Sequence, residues 1–538
     1  MKKLILFLCC ISFISVAYSQ VDILQNSLQA FNLKCKQSAK QKKIRKSIRE
    51  FGAKGDGKTN DSWAFIRASN YLKALKNSNY RVELMIPKGL YLIGMQAKRD
   101  QPIKHEDLVI QTPSYEAYYG PIFIDLNGCQ NVSIIGEEGS RIKYVSGLKF
   151  GSFDAKTGKP FFPEKLPFNN SYHAASIGVL LFVHNAKNIE VRNLELDGNI
   201  QGAEIGGNWG DLGIQLGHIG TYLSGNCDNI LVQNVHCHHF GLDGFAVRSK
   251  DTLNNSLKII LNCKSTMNGR QGLSWTGGNN LRCFKTTFSE TGQSVISTAP
   301  GAGLDIEPES GGGASCVNGY FQHCIFQNNK SFGILATSTA SDRISRGHTF
   351  NECVLIGTQS PALKSPASHA RFENCYFLGA LITPNGRGPE ALVFNQCYFT
   401  DVPELLMQQL PPSLRAKITK IDHYVPPYCL VDLSWGKGST LFEACQFDIQ
   451  QSIGMMLDGG PSCIIRNSKI NFRYFPSFLS SRPNISFMHD CVLESNRFIN
   501  LTANRRLNIM SNGKIKSNKK NTRSGEISVG GNHTGNDF

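Results

Sequence analysis

Beyond its first 19 residues the chain has no run of 18 apolar residues, so no later segment is long enough to cross a bilayer as a helix. Helical periodicity is nearly absent too. Apolar residues come in short alternating runs, which argues for strands and against a helical bundle. Acidic residues are the scarcer sign, 41 against 57 basic, for a formal charge of +16. A surplus of that sign attracts polyanions.

The opening residues differ. Lys2 and Lys3 precede an apolar run from Leu4 to Val16, and Ala17-Tyr18-Ser19 stands before Gln20. That layout predicts a signal peptide over residues 1–19 and a soluble product, secreted or periplasmic. Loss of Lys2 and Lys3 lowers the charge from +16 to +14. Basic residues then crowd residues 34–49 and 514–523. They suit solvated termini or attraction of a polyanion. For an exported protein an acidic polysaccharide is a more natural polyanion than nucleic acid.

What is abundant is a repeated step of a polar residue, Cys, any residue, and an apolar residue. It occurs at Cys324, Cys353, Cys375, Cys397, Cys445 and Cys491. Cys353, Cys375 and Cys397 lie 22 residues apart, and Cys445, Ser468 and Cys491 lie 23 apart. Cys263 and Thr286, with Leu194 and Val235 upstream, fit the same column. A fixed period of this size signals stacked units. Short strands in each unit predict an all-β solenoid with one coil per ~22 residues. Asn193, Asn234, Asn262, Asn374 and Asn467 precede the column, where a turn favours Asn. Column thiols one coil apart are spaced for a ladder, not for disulfides. They read as small apolar fillers. Cys35, Cys129, Cys227 and Cys237 fall outside the column and are free to pair.

The segment Phe51-Gly52-Ala53-Lys54-Gly55-Asp56-Gly57, then Asn60-Asp61 and an apolar stripe, then Ile86-Pro87-Lys88-Gly89-Leu90-Tyr91, resembles the N-terminal cap of the pectate-lyase-like superfamily. That group includes rhamnogalacturonases, polygalacturonases and phage tailspikes. The resemblance implies a right-handed parallel β-helix with an N-terminal capping helix. We expect a basic leader over 20–47, the capped β-helix over 48–510 and a basic tail over 511–538. Tailspike-like relatives make a trimer an alternative to a monomer. The polygalacturonase motifs Asp-Asp and Gly-His-Gly, and the alginate-epimerase motif Asp-Pro-His, do not occur, so the resemblance carries no catalytic set onto this chain.

Chemistry must then be sought in columns and loops. Five stretches break the period: 97–120, 146–176, 199–213, 289–303 and 401–436. Loops on a solenoid concentrate function. Their aromatics, Tyr115, Tyr118, Tyr119 and a Phe-rich set including Phe150 and Phe153, suit sugar stacking or loop packing. A second column aligns Gly244–Arg248, Gly272–Thr276, Gly303–Glu307 and Gly333–Thr337. With Leu304 and Ile306 inward, Asp305 and Glu307 point out, followed by Glu309. Carboxylates at i and i+2 stand ~6.6 Å apart, within the ~6.5–9.5 Å of an inverting glycosidase pair. They could instead hold Ca²⁺. Asp243 and Arg270 join the candidate catalytic set. Arg248, Gln271, Gln215, His218, Glu309 and the loop residue Trp209 are candidate substrate contacts. His236, His238 and His239 follow no zinc-ligand spacing, and one strand does not aim adjacent residues at one ion, so no metal site is expected there. The favoured function is a glycoside hydrolase acting on an acidic glycan such as pectin. The alternatives are a Ca²⁺-assisted lyase and a non-catalytic glycan-binding protein.

Overall fold

The computed structural model describes residues 22–37, 42–106, 108–110, 116–250, 256–309, 315–337, 344–364, 369–382, 392–433 and 439–472 with short interruptions, and mainly short strands beyond. Residues 1–19 and Tyr115 lie outside the described residues.

The chain forms a parallel β-helix. Its strands pair in register with the strand one coil on. Phe321 pairs with Phe350, Phe350 with Phe372, Phe372 with Phe394, and Phe394 with Phe442. The two long sheets of the described residues hold 29 and 15 strands. The period therefore reflects coaxial stacking, as expected.

The corner before the column explains its composition. Asn193, Asn234, Asn262, Lys285, His323, Glu352, Asn374, Gln396, Ala444, Asn467 and Ser495 all have φ between 50° and 59°. Left-handed backbone favours Asn among non-glycine residues. Asn234 also donates to Asn193 at 2.9 Å, and Asn262 to Asn234 at 2.8 Å. The ladder along the axis starts there.

The column residue that follows does more than fill space. The backbone N–H of Cys353 donates to Cys375 Sγ at 3.4 Å, and that thiol donates to the Phe350 carbonyl at 3.3 Å. Thr286 Oγ1 accepts from Cys263 N at 3.3 Å, Ser468 Oγ from Cys445 N at 3.0 Å, and Asn496 Oδ1 from Ser468 N at 2.9 Å. The thiols are thus hydrogen-bonding groups that satisfy a buried corner, which corrects their reading as plain apolar fillers. Asn496 takes the next place in the file. Cys491 instead opens a strand and pairs with Cys463. Cys35, Cys129, Cys227 and Cys237 are buried, and none of these four is in a disulfide.

Beside the column runs a file of stacked rings. Phe321, Phe350, Phe372, Phe394 and Phe442 have successive centroids 4.7, 4.7, 5.0 and 4.9 Å apart. The spacing equals the strand separation, so the ladder dictates the stack.

At the N-terminus Asp61 accepts from Lys54 N at 2.7 Å and Gly55 N at 3.0 Å, closing the glycine turn. A Cβ at Gly89 would meet the Gly55 carbonyl at 2.6 Å, so that turn needs glycine. The helix Ser62–Ala74 buries Ala64, Phe65, Ala68 and Leu72 over the first coil. Stacking begins earlier than expected. Lys42–Ser47, inside the stretch expected as leader, already pairs with Tyr80–Ile86. The preceding helix Ile23–Gln37 packs Phe31 and Cys35 outside the coils against Leu231, Ile259 and Phe284. Past residue 510, Lys514–Lys516 still pairs with Cys491–Glu494, and Asn532–Thr534 pairs with Lys514–Lys516.

Two predictions follow from the column and the ring file. Phe394→Ala should cost about 3–5 kcal/mol and lower the thermal midpoint. Cys375→Ala leaves the Cys353 N–H unpaired and should cost about 1–3 kcal/mol more than Cys375→Ser, read from denaturant melts of both variants.

Candidate functional site

Three consecutive coils build the site. The strand Asp243–Ser249 pairs with Gln271–Asn279, which pairs with Ala302–Ile306. Leu304 and Ile306 face the core, fully buried, and their alternation directs Asp305 the other way. Asp243 lies opposite Gln271, whose Nε2 donates to Asp305 Oδ2. Glu307 and Glu309 follow the strand and are half-buried.

Asp305 points away from the core yet is only 2% exposed, and Asp243 only 3%. One oxygen of each carboxyl, Oδ1, is buried without a hydrogen-bond partner. Burial first, then the Glu307 charge, pushes Asp305 up to about 8; Arg270 opposes this. Burial likewise raises Asp243 to about 7, again against Arg270. At neutral pH Asp305 is mostly protonated and Asp243 about half so, because burial and then neighbouring carboxylates favour the neutral form. In the sequence 62 positions separate Asp243 from Asp305. The structure couples them, since the Asp243 charge contributes to the rise at Asp305.

The basic residues flank the acids. Arg248 Nη2 lies 3.4 Å from Glu309 Oε2. The ladder shifts register after Val247, so Arg248 pairs with Gly277. Arg270 Nε donates to the Ala299 carbonyl at 3.3 Å. Thr298 Oγ1 accepts from Ile214 N at 3.0 Å, tying the 199–213 loop to the loop ahead of Asp305.

The loop candidates fall out differently. Trp209 is half-buried against the core, and its Nε1 donates to the Asn170 carbonyl at 3.3 Å. Gln215 Oε1 accepts from Asp211 N at 3.1 Å within the same loop. His218 is a correction. It is fully buried among Tyr144, Phe150 and Phe240, and its Nδ1 accepts from Gly241 N at 2.9 Å. A histidine in that position holds the core together and does not meet a glycan at the surface. Phe150 and Phe153 are buried as well, so these two rings pack the loop onto the coils.

The sequence passed over a second cluster. Asp197 pairs with His238 in the ladder, and Glu195 with His236. Asp197, His238 and His239 bring ligand atoms within 4.8 Å of one another; they are the one such group of three among the described residues. The argument that adjacent residues diverge fails here, because His239 has φ 56° and its side chain turns back. The 41-residue offset that relates Asn193 to Asn234 also relates Asp197 to His238, and that was the available signal. The carboxylates around Asp305 form no comparable group of three.

Folding stability should fall as pH rises at the acidic cluster. Asp243 and Asp305 bind protons when folded at pH values where the unfolded chain has released them. Their contribution is complete below the ordinary value of 3.8 and is lost as pH rises through about 7 and about 8. Asp305→Asn should flatten the decline of the thermal midpoint across that window. A wild-type midpoint that rises there, or a variant curve parallel to it, would contradict the protonated pair.

No protein-family profile and no curated protein matches the chain. Among solved structures, the A-module of a mannuronan C-5 epimerase of Azotobacter vinelandii is 12% identical, with 90% of this chain and 100% of that one covered at a TM-score of 0.39. A surface adhesin of Streptococcus pneumoniae is 12% identical over 92% and 91%, at 0.35. A tailspike of an Acinetobacter baumannii bacteriophage, a capsular polysaccharide depolymerase, is 13% identical over 90% and 63%, at 0.39. These superpositions are loose, so the fold rests on the strand ladder itself. That ladder, with its capping helix, is the parallel β-helix that the N-terminal resemblance implied.

Proposed function

We propose that this chain is a glycoside hydrolase acting on an acidic polysaccharide at the Asp243–Gln271–Asp305 face. The observation that carries the reading is the pairing of a proton-holding acid with a nearby carboxylate. Asp305 is pushed up to about 8 by burial and by Glu307, and keeps one oxygen unpartnered. A carboxyl poised near neutral pH is matched to protonating a glycosidic oxygen. In this reading Glu307, two residues on and half-buried, is the base that activates a water. Gln271 orients the Asp305 carboxyl through its hydrogen bond. Arg270, half-buried beside both acids, is a cation for a uronate carboxylate. The formal charge of +16 favours an anionic polymer at long range.

The test is a panel of acidic and neutral polysaccharides scored for new reducing ends and for unsaturated products. Asp305→Asn and Glu307→Gln should each lower kcat about 100-fold or more, and activity should fall as pH rises through about 8. Full activity in both variants on a substrate the wild type cleaves would sink the assignment. Unsaturated uronates, lost with a chelator, would select the lyase. Tight binding with no change in polymer size would select a non-catalytic glycan binder.

A further inference from the structure

The Asp197–His238–His239 cluster stands apart from the acidic face and has no part in the reading above. Asp197 ends the strand Lys187–Asp197 and His238 ends the strand Asp228–His238 one coil on. Their ladder pairing puts both side chains on one face of adjacent coils. His239 follows with a left-handed backbone, and its Nδ1 lies 2.6 Å from His238 Nδ1. His238 Nε2 meets Glu195 Oε1 at 3.1 Å. A carboxylate on that nitrogen holds the proton there and leaves Nδ1 as a lone pair aimed at His239. Arg141 binds Asp197 Oδ2, and Lys143 Nζ lies 3.7 Å from it. The other oxygen, Oδ1, accepts from Asn199 N at 2.8 Å and lies 3.8 Å from His238 Nδ1.

We propose that His238 Nδ1, His239 Nδ1 and Asp197 Oδ1 form a binding site for a first-row divalent cation such as Zn²⁺, joining two consecutive coils. Two imidazoles and one carboxylate oxygen are a donor set for borderline ions, not for Ca²⁺. Glu195 supplies the carboxylate behind a ligating histidine that orients such rings. Asp197 and His238 are buried, whereas His239 is half-exposed, so an ion enters from the His239 side and keeps a coordination position toward solvent. The two nitrogens, 2.6 Å apart, separate by about 0.7 Å to admit a tetrahedral ion at ~2.0–2.1 Å from each. The cationic neighbours Arg141 and Lys143 oppose the ion's charge. Glu195 and Asp197 offset them, and the cluster remains near neutral before an ion binds.

The decisive variant is His239→Asn. Asn tolerates the left-handed backbone, so the coil is kept while the ligand is lost. Full-length mature protein is stripped with chelator and titrated with Zn²⁺ by calorimetry, and with Co²⁺ by absorption. One ion per chain, a Co²⁺ spectrum without thiolate charge-transfer bands, and a raised thermal midpoint are expected. The absence of thiolate bands separates this site from the buried cysteines. His239→Asn and Asp197→Asn should each weaken binding tenfold or more, and the midpoint should no longer rise with Zn²⁺ in His239→Asn. The proposal is overturned by no stoichiometric binding. It is equally overturned by thiolate bands, or by unchanged affinity in a folded His239→Asn protein.

Discussion

The structure depends on one constraint: the buried corner between two strands must satisfy its backbone in every coil. A left-handed residue turns the chain there. The residue after it accepts an N–H from the neighbouring coil and, where it is Cys, donates to a carbonyl at its own level or the one before. An unpaired backbone group in that place would cost about 1–3 kcal/mol per coil. Over a dozen coils that sum would exceed the net stability of a typical domain. This explains why Cys, Thr, Ser and Asn alternate in one file. They share a small volume and an atom able to accept. Leu194 and Val235 have no side-chain atom able to accept, but the rule resumes at the next coil, where Cys263 Sγ accepts from the N–H of Val235 at 3.4 Å.

Once the corner is fixed, the spacing of everything else follows. Rings stack because strands do. Charges separated by tens of residues become neighbours. Asp243, Gln271 and Asp305 meet although up to 62 positions divide them. The long connections also find a place without disturbing the coils. The helix Pro403–Gln409, in the 401–436 stretch, lays Leu406 against Val354, Leu378 and Tyr398 on the outer face of the stack.

The fold was legible because a period survives any single substitution. Its arithmetic slipped where a coil changes length. From Cys445 to Ser468 is 23 residues, but from Ser468 to Asn496 is 28, so counting by 23 landed on Cys491. The site was half legible. Alternation correctly turned Asp305 away from the core, yet it cannot report burial on the outer face, and burial is what holds the proton there. His218 shows a second limit. Counting back from Leu223 and Thr221 sends Ile219 inward and His218 outward. The observed order is reversed, with His218 in the core and Ile219 beside Leu242 and Ala246. Gly220 allows the flip. Its missing Cβ would meet Phe240 at 2.8 Å and Cys237 Sγ at 3.0 Å, so it faces inward beside Thr221. No pattern of apolar letters shows such a step.

Asp305 and Asp197 are both about 2% exposed, but they titrate in opposite directions. Asp305 is raised by burial first and then by the carboxylates Glu307, Asp243 and Glu309 around it, with only Arg270 opposing. Asp197 is lowered despite its burial, because His238 and Arg141 face it from the coils on either side and Asn199 donates to it. Desolvation is common to both, so the difference between them comes from the charges nearby. Around Asp305 these are like: Glu307 and Glu309 follow on its own strand and Asp243 stands two coils back, while its in-register partners Ser274 and Leu335 carry no charge. Around Asp197 they are unlike, and its in-register partner His238 supplies the largest of them. One face can therefore carry acid chemistry while another keeps an ionised ligand, with no change in the backbone that presents them.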